Sequence, residues 1–137
     1  MNMNDTKFKD EDHKLNYDLI VKMMRKVDCY HAAVAYLFAL DHVCFQHLNR
    51  LFDFGNDSIK SRGLDEAWQT STSRRTTRLA FNLYNGWCTD GETYIGSDGF
   101  EEMLPSGYYS PVNLFCSEYA EYYVEAMKIR FPECFEK

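Results

Sequence analysis

Nowhere in the 137 residues is there an apolar run near the ~20 residues that a membrane-crossing helix needs, so no spanning segment is expected. The amino-terminal stretch MNMNDTKFKDEDHK has neither an apolar h-region nor an Arg-rich transit pattern, and the expected setting is cytoplasmic. Positive charge is in short supply. Fifteen Lys and Arg stand against 21 Asp and Glu, a formal charge of −6, which excludes a generally basic nucleic-acid binder. The five cysteines (Cys29, Cys44, Cys88, Cys116, Cys134) are odd in number, widely spaced and without a CxxC pair. Buried free thiols are therefore expected in place of a disulfide framework. Internal repeats and low-complexity tracts are absent, as are the phosphate-loop, GxSxG, HExxH and dinucleotide fingerprints.

What the chain does have is apolar material. Hydrophobic residues make up 45%, with ten Phe, ten Tyr and two Trp. That suffices for one domain over residues 1–137 that buries roughly two thirds of its surface. Disorder is excluded by the same composition.

Helical periodicity dominates. Between Phe8 and Lys26 the apolar residues Leu15, Leu19, Ile20, Met23, Met24 and Val27 recur at steps of three and four, leaving Lys22, Arg25 and Lys26 outside. Asp10, Glu11 and Asp12 fit the first turns of that helix. The run CYHAAVAYLFAL, Cys29 to Leu40, is apolar apart from His31 and is expected to be the central helix. Asp41 can cap a third helix carrying Phe45, Leu48, Leu51 and Phe52, which Gly55 and Asn56 should stop. A loop follows over 56–63, then a turn around Leu64 to Trp68. Thr70 to Ser73 offer caps for a helix that Gly86 ends. Residues 88–109 hold Gly91, Gly96, Gly99, Gly107 and Pro105 and read as a long exposed loop, with a short strand at Thr93 to Ile95. Ser110-Pro111 starts a last helix running to about Arg130. The expected fold is mainly α: a compact bundle of about five helices with a glycine- and acid-rich loop before the carboxy-terminal helix.

Two constellations carry chemistry. In TSTSRRTTR, residues 70–78, Arg74, Arg75 and Arg78 lie in the first turns of a helix whose amide end is already positive. Something negative should compensate: either an external phosphate or carboxylate held with Ser73, or the chain's own Asp65, Glu66 or carboxy-terminal acids. The second constellation is acidic. Residues 88–137 carry ten acids and three bases, and Glu118, Glu121 and Glu125 form one stripe among Tyr119, Tyr122 and Tyr123 near Tyr108 and Tyr109. It reads either as a solvated face or as a surface of Tyr108, Tyr109, Glu118, Glu121, Tyr122 and Glu125 that docks on a basic partner.

Metal and catalytic patterns are sparse. His42 and His47 fall on different sides of a helix, Cys44 and His47 lack further ligands, and no Glu-x-x-His accompanies the acidic stripe, so neither metal nor cofactor is expected. Cys29 beside Asp28 and His31 is the one conceivable nucleophile pairing.

Cys29-Tyr30-His31-Ala32-Ala33, Glu66-Ala67-Trp68-Gln69-Thr70, Thr77 to Gly86 with Trp87, Leu114-Phe115-Cys116 and Glu125 to Glu133 together resemble a small-protein family of unknown function from Firmicutes and their mobile elements or phages. The words EAWQT and TRLAFNLYNGW are its specific part; the stretch from Cys88 to Gly107 departs from it. The resemblance implies a bacterial or phage setting and no established activity. The expected function is a non-enzymatic protein-binding module acting through the acidic tyrosine-bearing surface, with inhibition of a CRISPR or other defence nuclease as one form. The expected partner is a protein of the nucleic-acid-binding effector type, without a membrane role. The alternatives are a phosphate- or nucleic-acid-binding module using Ser73, Arg74, Arg75 and Arg78, and a Cys-dependent enzyme.

Overall fold

The computed structural model describes residues 5–135. Asp10 caps α1 (Glu11–Met23): its carboxylate accepts from the His13 amide, and Glu11 and Asp12 fill the first turn. Asp28 does the same for α2 (Cys29–Leu40), accepting from the amide of His31. From His31 to Leu40 every residue of α2 is buried, as a helix apolar all round requires.

The inward face of α1 keeps only Ile20 and Met24 of the stripe its apolar residues predict. His13, Tyr17, Ile20 and Met24 turn into the core, while Leu15, Leu19, Met23 and Val27 stay exposed. The two stripes have the same helical period, and polar satisfaction separates them. His13 Nε2 lies 2.9 Å from the Tyr36 carbonyl and its Nδ1 accepts from the Lys9 amide at 3.0 Å, so the imidazole is buried without an orphaned nitrogen.

Asp41 closes α2 and caps α3 (His42–Gln46), its carboxylate accepting from the Val43 and Cys44 amides. The expected third helix stops early. After α4 (Leu48–Leu51) the chain becomes extended as β1 (Phe52–Asp53), which pairs antiparallel with β2 (Ser58–Ile59). Asp53 accepts from the amides of Gly55 and Asn56, a local bond set that competes with helix. The left-handed residue of this reversal is Asp57, with φ 59°, and not Gly55 or Asn56. A 3-10 turn over Ser61–Asp65 follows; at its Gly63 an added Cβ would lie 2.3 Å from the Arg50 carbonyl oxygen, so glycine is required there.

The longest helix is α5 (Ser71–Asn85), opened by a reciprocal Thr70–Ser73 capping box and closed by left-handed Gly86. The expected long loop folds back on itself as a hairpin. In it β3 (Thr93–Ile95) pairs with β4 (Glu101–Met103), Thr93 opposite Met103, and all six residues are exposed. Pro111 begins α6 (Pro111–Leu114), but the expected last helix breaks at 115–119 before α7 (Ala120–Arg130) and α8 (Pro132–Phe135). Eight α-helices among the described residues thus replace the expected five, four of them of five residues or fewer. The architecture is mainly helical, with α1, α5 and α7 packed on the central α2.

Candidate anion-binding site

On α5, Ser71 lies three and four residues before Arg74 and Arg75, and Arg78 three and four residues after Arg75 and Arg74, so the four share a face. Its opposite face, Ser73, Thr76, Thr77 and Ala80, is buried. The outward face, together with Tyr108 and Asn113, lines a cleft of about 230 Å³. Each guanidinium is held by its Nε. Arg74 donates to the Leu64 carbonyl at 3.0 Å and Arg75 to the Asn113 carbonyl at 3.2 Å. Arg78 donates through Nε and Nη2 to the two carboxylate oxygens of Asp90, at 3.1 and 3.2 Å. Tyr108 lies over Arg78, its ring centroid 4.7 Å from Cζ.

The internal acids expected to neutralise this cluster do so only in part. Glu66 is taken by Arg50 and by Trp68 Nε1, and the Arg50 guanidinium, with the Trp68 donor beside it, holds its carboxyl down at about 2. Among the described residues Asp90 alone answers the cluster, through Arg78. The terminal nitrogens of Arg74 and Arg75 have no protein acceptor among the described residues. Two fixed cations therefore remain at the amide end of a fifteen-residue helix, where the dipole opposes positive charge.

Ser73 is not in the cleft. Its hydroxyl donates to Gln69 Oε1 at 2.5 Å and accepts from the Thr70 amide, and it is wholly buried. Ser71, one turn face away, takes its place. The word EAWQT has a structural reason: the Gln69 side chain bridges the Gly63 carbonyl and Thr77 Oγ1, tying the 3-10 turn to α5, and Thr70 caps that helix. This tie puts the Leu64 carbonyl under Arg74.

The acidic tyrosine-bearing residues divide between two places. Tyr108 and Tyr109 belong to the cleft side, Tyr108 exposed over Arg78 and Tyr109 half-buried with its hydroxyl donated to the Thr89 carbonyl at 3.1 Å. Glu121 pairs with Lys7 at 2.6 Å, which lowers the carboxyl below its usual range, and Lys7 also lies over the Tyr122 ring. Glu118 precedes α7, so the stripe shortens to Glu121 and Glu125. Tyr123 is fully buried, its hydroxyl 2.6 Å from Thr76 Oγ1.

Around Cys29 the sequence grouping is rearranged by a residue it did not include. His31 Nδ1 lies 2.7 Å from Asp28 Oδ1 and Nε2 lies 2.6 Å from Asp57 Oδ1. Both nitrogens face carboxylates and neither faces Cys29, whose sulfur sits 3.9 Å from Arg130 Nη1. Tyr84 packs edge-on against His31, and burial together with Asp57 pushes its phenol up to about 12. Among the described residues no group of three His, Cys, Asp or Glu could hold a metal ion. His47 instead stacks flat on Trp68, centroids 4.1 Å apart.

Fold and cleft define a small, mainly helical protein whose longest helix begins in a preorganised arginine cluster. Residues 3–137 match the family described as a family of unknown function, DUF6075, and the chain belongs to that family. The match spans 88–107, the stretch that the resemblance left aside. No curated protein and no solved structure matches the chain.

Proposed function

We propose that the protein is a non-enzymatic binding module whose ligand carries a phosphate group, received between Arg74, Arg75 and Ser71. The observation that carries this reading is the pair of guanidinium groups fixed through Nε, with unshared terminal nitrogens on one cleft. Fixing Arg side chains before binding lowers the ordering cost that a long cation otherwise incurs, and a fork of N–H donors suits phosphate oxygens. Arg78 is spent on Asp90 and serves as the wall on which Tyr108 rests.

The neighbourhood favours a compact ligand over a long nucleic acid. Beyond Tyr108 and Asn113 lies a second cleft of about 390 Å³ lined by Asp90 and Glu92. Residues 88–109 carry five carboxylates and no Lys or Arg. A polyanion extending past the arginines would meet that negative field within a Debye length of about 8–10 Å. A nucleotide fits better, with its phosphate at the arginines and its base near the exposed Tyr108 ring.

Calorimetric titration at low salt with inorganic phosphate, nucleoside phosphates and short oligonucleotides tests this reading. Nucleotide binding is expected, and Arg74→Gln with Arg75→Gln should weaken it at least about tenfold, one to two charged hydrogen bonds' worth. Absence of binding at ~1 mM ligand would dispose of it.

The second reading, docking of a basic protein on the acidic region, is supported by the exposed hairpin. Tyr94, Ile95, Phe100 and Met103 are exposed there beside Glu101 and Glu102. Glu118 and Glu125 form no ion pair among the described residues and extend the same negative character. Inhibition of a nucleic-acid-binding effector belongs to this second reading.

A further inference from the structure

The arginine cleft adjoins the larger one of about 390 Å³, with Tyr108 and Asn113 lining both. The Arg78–Asp90 ion pair joins them, since Arg78 lines the first and Asp90 the second. The larger cleft combines apolar surface from Leu104 and Pro105 with the Tyr108 ring, and it has the size of a small-molecule site. Its hydrogen-bonding character is one-sided. Ser106 Oγ donates to Asp90 Oδ2 at 3.0 Å, and Asn113 Nδ2 donates to the Gly107 carbonyl at 2.8 Å and to Ser110 Oγ at 2.9 Å. The side-chain donors of the lining are thus spent, the Tyr108 hydroxyl apart. The acceptors are not. Neither the exposed Glu92 carboxylate nor Asn113 Oδ1 has a hydrogen-bond partner among the described residues. A group that enters this cleft must therefore bring donors.

We propose that this cleft receives the base of the nucleotide and selects guanine through Glu92, an assignment that rests on the phosphate reading above. A carboxylate presents two acceptor oxygens side by side and no donor. Guanine answers it with two adjacent donors, the ring N1–H and the 2-amino group, as an arginine fork does. Adenine and cytosine set their amino group beside a ring nitrogen that is itself an acceptor, and uracil sets a single N–H between two carbonyls. Each of those three turns lone pairs toward the carboxylate, and a site built on hydrogen bonds rejects a ligand that leaves them unmade. Leu104, Pro105 and Tyr108 supply apolar and aromatic surface for the faces of a purine. The charge layout suits the same ligand: cations stand at the phosphate end, and carboxylates at the end where the ligand is neutral and rich in donors.

Calorimetric titration of the full chain at low salt with guanosine, inosine and uridine monophosphates and with ribose 5-phosphate tests the proposal. Guanosine monophosphate is expected to bind at least about tenfold tighter than uridine monophosphate, with inosine monophosphate, which lacks the amino group, between them. Glu92→Gln, at an exposed position, replaces one acceptor oxygen with a donor. It should bring guanosine and uridine monophosphates to within about threefold of each other, while ribose 5-phosphate loses no affinity. Equal affinities for the three nucleotides, or a guanine preference untouched by Glu92→Gln, would overturn the assignment. The phosphate reading would then still stand if Arg74→Gln with Arg75→Gln weakened all four ligands. Binding of none of the four at ~1 mM would overturn both.

Discussion

Asp41 shows how much one side chain decides. Its carboxylate caps α3 through two amides and also accepts from Thr76 Oγ1, which in turn meets the Tyr123 hydroxyl, so α3, α5 and α7 converge on it. Burial pushes its carboxyl up, against the lowering effect of those donors. Asp41→Ala should cost about 2–3 kcal/mol, from the lost cap and the buried donors left unpaired. Asp41→Asn keeps an acceptor for the amides and removes a buried charge, and should stay within about 1 kcal/mol of wild type. Urea denaturation of both variants measures this; equal losses would mean that the charge, and not the acceptor, matters. The capping role was readable in the sequence because it needs only local spacing. The links to Thr76 and Tyr123 were not, because they lie 35 and 82 residues away in the chain.

At the scale of elements, the caps set where helices start, and competing local bonds set where they stop. Asp10, Asp28, Asp41 and Thr70 are all N-caps; the sequence marks Asp41 and the run from Thr70 as caps, places Asp10 inside the first turns, and gives Asp28 no capping role. The two long helices expected after Asp41 and Ser110 are each broken into shorter ones. Asp53 draws its own downstream amides, and Ser117 Oγ accepts from the Tyr119 amide at 3.1 Å, so both stretches turn aside. The β3–β4 hairpin is held at its base, where Ser106 donates its amide to the Cys88 carbonyl and Thr89 Oγ1 donates to the Leu104 carbonyl. Its strands bury nothing, so replacing Thr93 to Met103 with a short glycine-serine turn should change stability by no more than about 0.5 kcal/mol. Chemical denaturation checks this, and a loss above about 2 kcal/mol would show that the hairpin supports the core.

For the whole molecule, the buried His13 couples folding to pH. Burial holds its imidazole below the ordinary value of 6.5, with the Tyr36 carbonyl pulling the other way. The unfolded chain therefore takes up a proton first as pH falls. Its contribution is fully present above about pH 6.5 and is lost as pH drops from there through the lower folded value. Stability should fall between pH 7.5 and 5.5 with a slope of up to about 1.4 kcal/mol per pH unit from this group. His13→Gln keeps a donor toward the Tyr36 carbonyl and should flatten that slope; an unchanged slope would assign it elsewhere. The arginine cleft is also a property of the whole. Arg74, Arg75 and Arg78, with Ser71 one turn before them, stand together by helical spacing, but Tyr108, Asn113 and Asp90 joined them only through folding. By itself the sequence determined the mainly helical class, the central helix at Cys29 to Leu40, the caps at Asp41 and Thr70 and the arginine-bearing helix start, since each follows from spacing within a few residues. Only the tertiary structure decided which stripe of α1 turns inward, which tyrosines are covered and which arginines are neutralised, because those outcomes depend on polar partners brought from distant parts of the chain.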